Sequence, residues 1–210
     1  MNNRKIALTG GIACGKSLLS RFLNELGVET LDADDVVHEL VPDPAERRRI
    51  AAEVFADPVK RRELEARIHP LVKARIEAWF EGETGGRSGT SGRSATSGMI
   101  LPQVTQLPQV PLSSTPNLRI AIIPLLFEVH WEENFDIICS VVSRRDVQID
   151  RMVTTRAMTL AQAEARLAAQ MPVEEKARRS HYVIRNDGSP EELKAQAVEL
   201  TRWLKSKSQV

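Results

Sequence analysis

The sequence predicts an α/β fold built on a five-stranded parallel sheet flanked by helices, and three observations carry that reading. Short apolar runs alternate with helical patterns along most of the 210 residues, which implies strands joined by crossover helices. The segment Gly10-Gly11-Ile12-Ala13-Cys14-Gly15-Lys16-Ser17 reads G-x-x-x-x-G-K-S and falls between a strand candidate and a helix. That is the context a phosphate-binding loop of the P-loop type requires. In such sheets the ligand sits at the carboxyl ends of the strands, where this loop begins.

The elements follow in order. Lys5-Ile6-Ala7-Leu8 is a short buried-strand candidate. Leu18, Leu19, Phe22, Leu23 and Leu26 then recur at helical spacing until Gly27, a C-terminal cap signal. Val28-Glu29-Thr30-Leu31 reads as a second strand running into Asp32-Ala33-Asp34-Asp35. From about 36 to 80 the pattern is helical and charged, broken by Pro42, Pro44, Pro58 and Pro70, which predicts several short amphipathic helices. Composition changes at Glu81: 13 of the 18 residues 81–98 are Gly, Ser or Thr, and prolines follow at 102, 108, 111 and 116. Residues 81–117 therefore read as an insertion, flexible in its first half, with an edge strand or sticky segment near Met99-Ile100-Leu101. Arg119 to Pro124 and Ile137 to Val142 supply two further strands, 148–170 a long Arg- and Ala-rich helix, and Tyr182-Val183-Ile184 the fifth strand. Residues 191–205 close the chain as a helix with Leu193, Ala197, Leu200 and Leu204 on one face.

The chemistry starts at the loop. Its glycines permit positive φ and turn backbone N–H groups toward an anion at the positive end of the next helix. Gly11, Ile12, Ala13, Cys14, Gly15, Lys16, Ser17 and Leu18 are thus the nucleotide-binding candidates. Lys16 reaches the β- and γ-phosphates of a triphosphate such as ATP, and the Ser17 hydroxyl ligates Mg²⁺. Asp32 and Asp34, at the end of the second strand, face the γ-phosphate. One can act as a base while the other holds Mg²⁺ waters, and Asp35 is the member expected to cap the following helix. Cations for the transferred group come from Arg151, Arg156 and Arg166 on a lid at about 148–172, which closes to exclude water.

Composition narrows the partners. A net charge of +1 gives no basis for nucleic-acid or anionic-membrane binding, and the arginine and lysine clusters at 47–49 and 60–62 are interleaved with acids. Two cysteines, one inside the loop and one in a strand, suggest no disulfide framework and fit a reducing cytoplasm. No stretch reaches membrane-spanning length and no targeting signal precedes the first strand. A small-molecule substrate and a monomer or weak homo-oligomer are expected.

These residues, taken together, resemble the dephospho-coenzyme A kinase family. The resemblance runs from Ala7-Leu8-Thr9-Gly10-Gly11-Ile12 through Leu31-Asp32-Ala33-Asp34, Arg47…Phe55 and Ile68-His69-Pro70-Leu71. It continues through Ile123-Pro124-Leu125-Leu126-Phe127-Glu128, Gln148…Arg151, Arg166…Pro172 and Val183-Ile184-Arg185-Asn186-Asp187-Gly188. It covers most of the chain apart from 81–117. The resemblance implies a P-loop kinase fold and ATP-dependent, Mg²⁺-assisted phosphorylation of the ribose 3′-hydroxyl of dephospho-coenzyme A, the last step of coenzyme A synthesis. It implies Asp34 as base, Asp32 near the metal with Ser17, Arg151 on phosphate from the lid, and Asn186 beside the adenine of ATP. Arg47, His69 and Glu128 would lie toward the acceptor. The implied domains are a nucleotide core (1–35 and 118–210), a helical acceptor-binding subdomain (36–80) and the insertion (81–117).

Four departures from the family pattern stand out: a short stretch between His38 and Arg47, the long 81–117 segment, Thr155 in place of a second lid arginine, and Ser180-His181 before the fifth strand. The alternatives these leave are a kinase for another small acceptor and a nucleotide-binding regulatory protein descended from such a kinase. A GTPase lacks support, because no N-K-x-D motif is present.

Overall fold

The computed structural model describes residues 4–41, 43–82 and 118–207. The insertion at 81–117, including the possible edge strand near Met99, lies outside the described residues beyond Gly82. Five parallel strands form one sheet in the order β2-β3-β1-β4-β5. They are β1 (Ile6–Gly10), β2 (Glu29–Asp32), β3 (Arg119–Ile122), β4 (Ile137–Val142) and β5 (Tyr182–Arg185). Leu8 of β1 lies level with Ile122 on one side and Cys139 on the other. The order reverses at β1, so the loop that leaves its carboxyl end sits at the switch point where ligands bind.

Side chains alternate across the sheet, and each face has its own core. On one face Ile6, Leu8, Ile120, Cys139, Val141 and Ile184 pack against α1 (Lys16–Glu25) and α8 (Pro190–Lys207) through Leu19, Leu23, Leu193, Leu200 and Leu204. All four α8 positions expected to face inward, Leu193, Ala197, Leu200 and Leu204, are fully buried. Each such leucine contributes about 1.5–3 kcal/mol by leaving water. On the other face Ala7, Ala121, Ile123 and Ile138 meet Val36, Val72, Ile76 and Phe80 from α2 (Ala33–Leu40) and α4 (Pro58–Glu81). Arg119 fastens this side. It donates to Glu29 at 2.9 Å and to the Trp79 carbonyl at 2.6 Å, with its guanidinium over the Trp79 ring.

Three expectations change. Pro70 does not divide two helices; α4 runs unbroken through it. The proline removes the N–H that would bond the Ala66 carbonyl, but Ala66 is exposed, so water can satisfy that oxygen while Ile68, Val72 and Ile76 keep the helix seated. The helix expected over 148–170 is two: α5 (Arg145–Arg156) and α6 (Leu160–Ala168). Ala157 takes a left-handed conformation with φ 51° to end the first, and Thr159 with Gln162 forms a capping box that starts the second. A short α7 (Val173–Arg178) then precedes β5. Last, Asp32 rather than Asp35 caps α2, its Oδ1 accepting the Asp34 N–H at 2.9 Å. The chain enters the helix one residue after β2, so the last strand residue is the only one positioned to cap.

α3 (Pro44–Ala56) has its main packing partner in α4. Asp43 and Asp57 cap these two helices, each followed by a proline in the first turn. Among the described residues no helix is long and apolar enough to cross a membrane.

Candidate active site

The loop from Gly10 to Lys16 is held by its own lysine and by groups from three other segments. Lys16 Nζ donates to the carbonyls of Gly10 and Gly11, both at 2.9 Å, which brings the ammonium back along the loop. Gln148 of α5 is buried and donates to the Ile12 carbonyl at 2.7 Å and toward the Cys14 sulfur at 3.2 Å. The Ile12 N–H donates to Gln170 Oε1 at 2.9 Å, just past α6. Arg151 Nη1 donates to the Ala13 carbonyl at 3.3 Å and to Ser143 Oγ at 3.2 Å.

Asn186, just past β5, completes the brace. It donates to the Cys14 carbonyl at 2.9 Å and accepts from Arg151 at 3.5 Å. Both ends of its amide are therefore spent inside the protein. In this position the side chain braces the loop through the Cys14 carbonyl. The same contact explains Gly15, whose φ is 91° and where a methyl group would stand 2.2 Å from Asn186 Nδ2. Only glycine meets both demands. Ala13 also takes positive φ, at 59°, as a loop that turns successive N–H groups inward requires.

Burial shapes the charges. Lys16 is lowered from the usual 10.5 to about 8, chiefly by desolvation and also by the Lys176 ammonium, against the upward pull of Cys14 and of the Asp32 and Asp34 carboxylates. Those two carboxylates thus stand within electrostatic reach of the lysine at the phosphate cradle. Desolvation also raises the Asp32 carboxyl, opposed by the hydrogen bond from the Asp34 N–H. Asp34 itself is exposed in the first turn of α2. Burial raises the Cys14 thiol and pushes Cys139 up to about 12, so neither is an activated nucleophile.

The residues expected toward the acceptor are less convergent. Arg47 donates to the Val41 carbonyl at 2.7 Å, joining α3 to the end of α2. His69 meets the Trp131 ring edge-on at 5.4 Å. Glu128 engages neighbours within the protein. One oxygen accepts the Met171 N–H at 3.0 Å and the pair together engage the buried Lys176, so the carboxylate is committed within the protein. Of the lid arginines, Arg151 reaches the loop, whereas Arg156 and Arg166 are exposed.

Gln148, Gln170 and Lys176 were not singled out as site residues from the sequence. A signal existed for two of them. Gln148 lies four residues before the buried Met152, and Lys176 lies between Val173 and Ala177 on the inward stripe of α7. A polar residue on a buried stripe has a partner to find.

The chain is similar in sequence and fold to known proteins. The family model described as dephospho-CoA kinase matches residues 4–46 and 88–192, reaching into the segment that the resemblance had left aside. The dephospho-CoA kinase of Synechococcus sp. (strain JA-3-3Ab) is 36% identical over 92% of this chain and 89% of its own. Among solved structures, TT1252 from Thermus thermophilus superposes with a TM-score of 0.68 at 26% identity, covering 96% of this chain and 98% of its own. The dephospho-CoA kinase from Campylobacter jejuni shares the fold, with a TM-score of 0.55 at 19% identity over 95% and 96% of the two chains. By sequence, the chain belongs to the dephospho-CoA kinase family.

Proposed function

We propose that this chain transfers the γ-phosphoryl group of ATP to the ribose 3′-hydroxyl of dephospho-coenzyme A, giving coenzyme A and ADP as the last step of coenzyme A synthesis. The observation that carries the reading is the grouping of Lys16, Arg151 and the Asp32–Asp34 carboxylates around one braced phosphate loop, in a chain of this family. Phosphoryl transfer asks mainly for positioning and for cations where charge develops. The loop N–H groups and Lys16 hold the β- and γ-phosphates. Arg151, already against Ala13, turns its guanidinium to the transferred group when the lid closes. Asp34, exposed in the first turn of α2, orients the acceptor hydroxyl and takes its proton.

The residues present also fit Mg²⁺. Among the described residues no group of three or more His, Cys, Asp or Glu could enclose a metal ion. Magnesium needs no such cage; it keeps waters and binds through one or two carboxylates plus substrate phosphates. Ser17 and Asp32 supply that kind of donor set, with Asp32 Oδ2 left over from its capping bond. When bound, the ion neutralises charge on the phosphate oxygens. His69 and Arg47 sit on the helices we assign to the acceptor, and the buried, unpaired Cys14 and Cys139 accord with a cytoplasmic enzyme.

The test is acceptor-dependent ADP formation by the purified protein, comparing dephospho-coenzyme A with adenosine, AMP and shikimate, and Lys16→Ala as the blank. Coenzyme A should appear in equal amount with ADP, and only with the first acceptor. Turnover with another acceptor alone, or none despite Mg·ATP binding, would overturn the reading.

A further inference from the structure

A second cation lies behind the phosphate loop, and phosphoryl transfer as described above makes no use of it. Lys176 of α7 is completely buried. Its Nζ stands 2.8 Å from Glu128 Oε1 and 3.1 Å from Oε2, and donates to the Pro124 carbonyl at 2.8 Å. Thr9 at the end of β1 donates to the same carbonyl at 3.2 Å. Burying an ammonium is costly and gives little net stability even when paired, so its placement calls for another explanation.

The connections of its partners supply one. Pro124 and Glu128 belong to the segment that leaves β3, beside the exposed Leu125. Glu128 Oε1 accepts the N–H of Met171, between α6 and α7. The preceding residue, Gln170, accepts the N–H of Ile12 in the phosphate loop. Two adjacent residues thus tie the base of the lid to both walls of the cleft. Arg179 adds a further clamp, its guanidinium 4.4 Å over the Phe127 ring and paired with Glu132.

We infer that Lys176 and Glu128 are positioning residues that form a joint between the lid base, the phosphate loop and the segment after β3, coupling lid closure to a correctly placed acceptor. The inference rests on the kinase reading. The joint fixes α7, so that the Arg151 guanidinium turns from Ala13 onto the phosphates only with the wall after β3 in register. With the joint loosened, the lid closes imperfectly and water replaces the acceptor hydroxyl. Its oxygen then bonds to the γ-phosphorus, the bond from that phosphorus to the β–γ bridging oxygen breaks, and ADP, phosphate and a proton leave. Lys176 also adds to the positive field at Lys16.

The experiment compares the wild type, Lys176→Met, and the double variant Lys176→Met with Glu128→Gln. In the double variant no buried charge is left unpaired, and the glutamine oxygen can still accept the Met171 N–H. ADP and coenzyme A are quantified separately, with and without dephospho-coenzyme A, and Mg·ATP affinity is measured alongside. The double variant should bind Mg·ATP within about threefold of wild type and lose about tenfold or more in transfer. Its yield of ADP per coenzyme A should rise to about two or more, against one for wild type. Restoration of wild-type transfer and a one-to-one yield in the double variant would reduce the pair to charge balance and overturn the inference. If the wild type itself made no coenzyme A, the kinase reading would fail separately. Acceptor-free ATP hydrolysis would then still test the joint, an increase in the double variant supporting it and no change refuting it.

Discussion

The two halves of the cleft are built differently. On the nucleotide side, Gln148 and Arg151 of α5, Gln170 and Asn186 arrive from three places along the chain and lock the loop between Ile12 and Cys14. On the acceptor side Asp34 is exposed, Arg47 bonds the end of its neighbouring helix, and His69 touches one ring. The first half is joined by one set of hydrogen bonds around the loop; on the side proposed for the acceptor, Arg47 and His69 engage different neighbours. The difference teaches where binding energy is spent. A prebuilt phosphate cradle lowers the reorganisation needed when charge develops, whereas an acceptor wall assembled on binding ties catalysis to the correct substrate.

The largest expected effect breaks the acceptor side at its chemical centre. Asp34→Asn should lower kcat by about 10²–10⁴-fold, the range for a general base, and leave ATP affinity unchanged. Steady-state rates beside ATP titrations check both halves of that statement. Next, Arg151→Met should cost about 10²–10³-fold in kcat, as loss of a charge-stabilising donor does. Arg156→Met, at an exposed position in the last turn of α5, should change kcat by less than about threefold. Equal losses in the two variants would show that the lid rearranges more than the brace around Ala13 implies.

A third comparison probes the brace itself. Gly15→Ala places a methyl against Asn186 at positive φ and should destabilise the fold by about 1–3 kcal/mol while weakening ATP binding. Thermal unfolding with and without Mg·ATP measures both. The fourth concerns pH. ATP binds the ammonium form of Lys16, whose pKa burial lowers to about 8, so ATP affinity should fall by about tenfold per pH unit above 8. The effect on stability has the opposite sign. Between about 8 and 10.5 the unfolded chain holds the proton that the folded chain has lost, so this group's contribution to stability grows as pH rises. ATP titrations at about pH 7, 8 and 9, with melting curves at the same values, separate the two. The smallest effect is expected for His69→Ala, which removes an edge-on aromatic contact of about 0.5–1.5 kcal/mol and should raise the acceptor KM a few-fold with ATP binding unchanged.

The fold was legible because its signals are local. The loop motif, the alternation of strands and helices, and the inward face of α8 all repeat at short spacing, and the structure places them as the spacing implies. The site was legible, as a set of candidates, where a motif marks the chemistry, at Lys16, Ser17 and the Asp32–Asp34 cluster, of which the structure brings Lys16, Asp32 and Asp34 within electrostatic reach. It was hidden where function comes from distant contacts. Nothing near position 186 says that its amide will be spent on Cys14 and Arg151, and nothing near 128 says that its carboxylate will meet a lysine from α7. Pro70 misled for the opposite reason: a strong local signal was overridden by packing of Val72 and Ile76 on the sheet.

The measurement that tests the central contrast most directly is amide hydrogen exchange on the protein alone, with Mg·ATP, and with Mg·ATP analogue plus dephospho-coenzyme A. The prebuilt nucleotide side predicts that Ile12 and the backbone of β1 and β4 are already protected without ligand and gain little with nucleotide. Residues of α2, α3 and the first half of α4 should gain protection only when the acceptor is added. Ordering of both halves by nucleotide alone, or a phosphate loop that exchanges freely until ATP binds, would contradict the account.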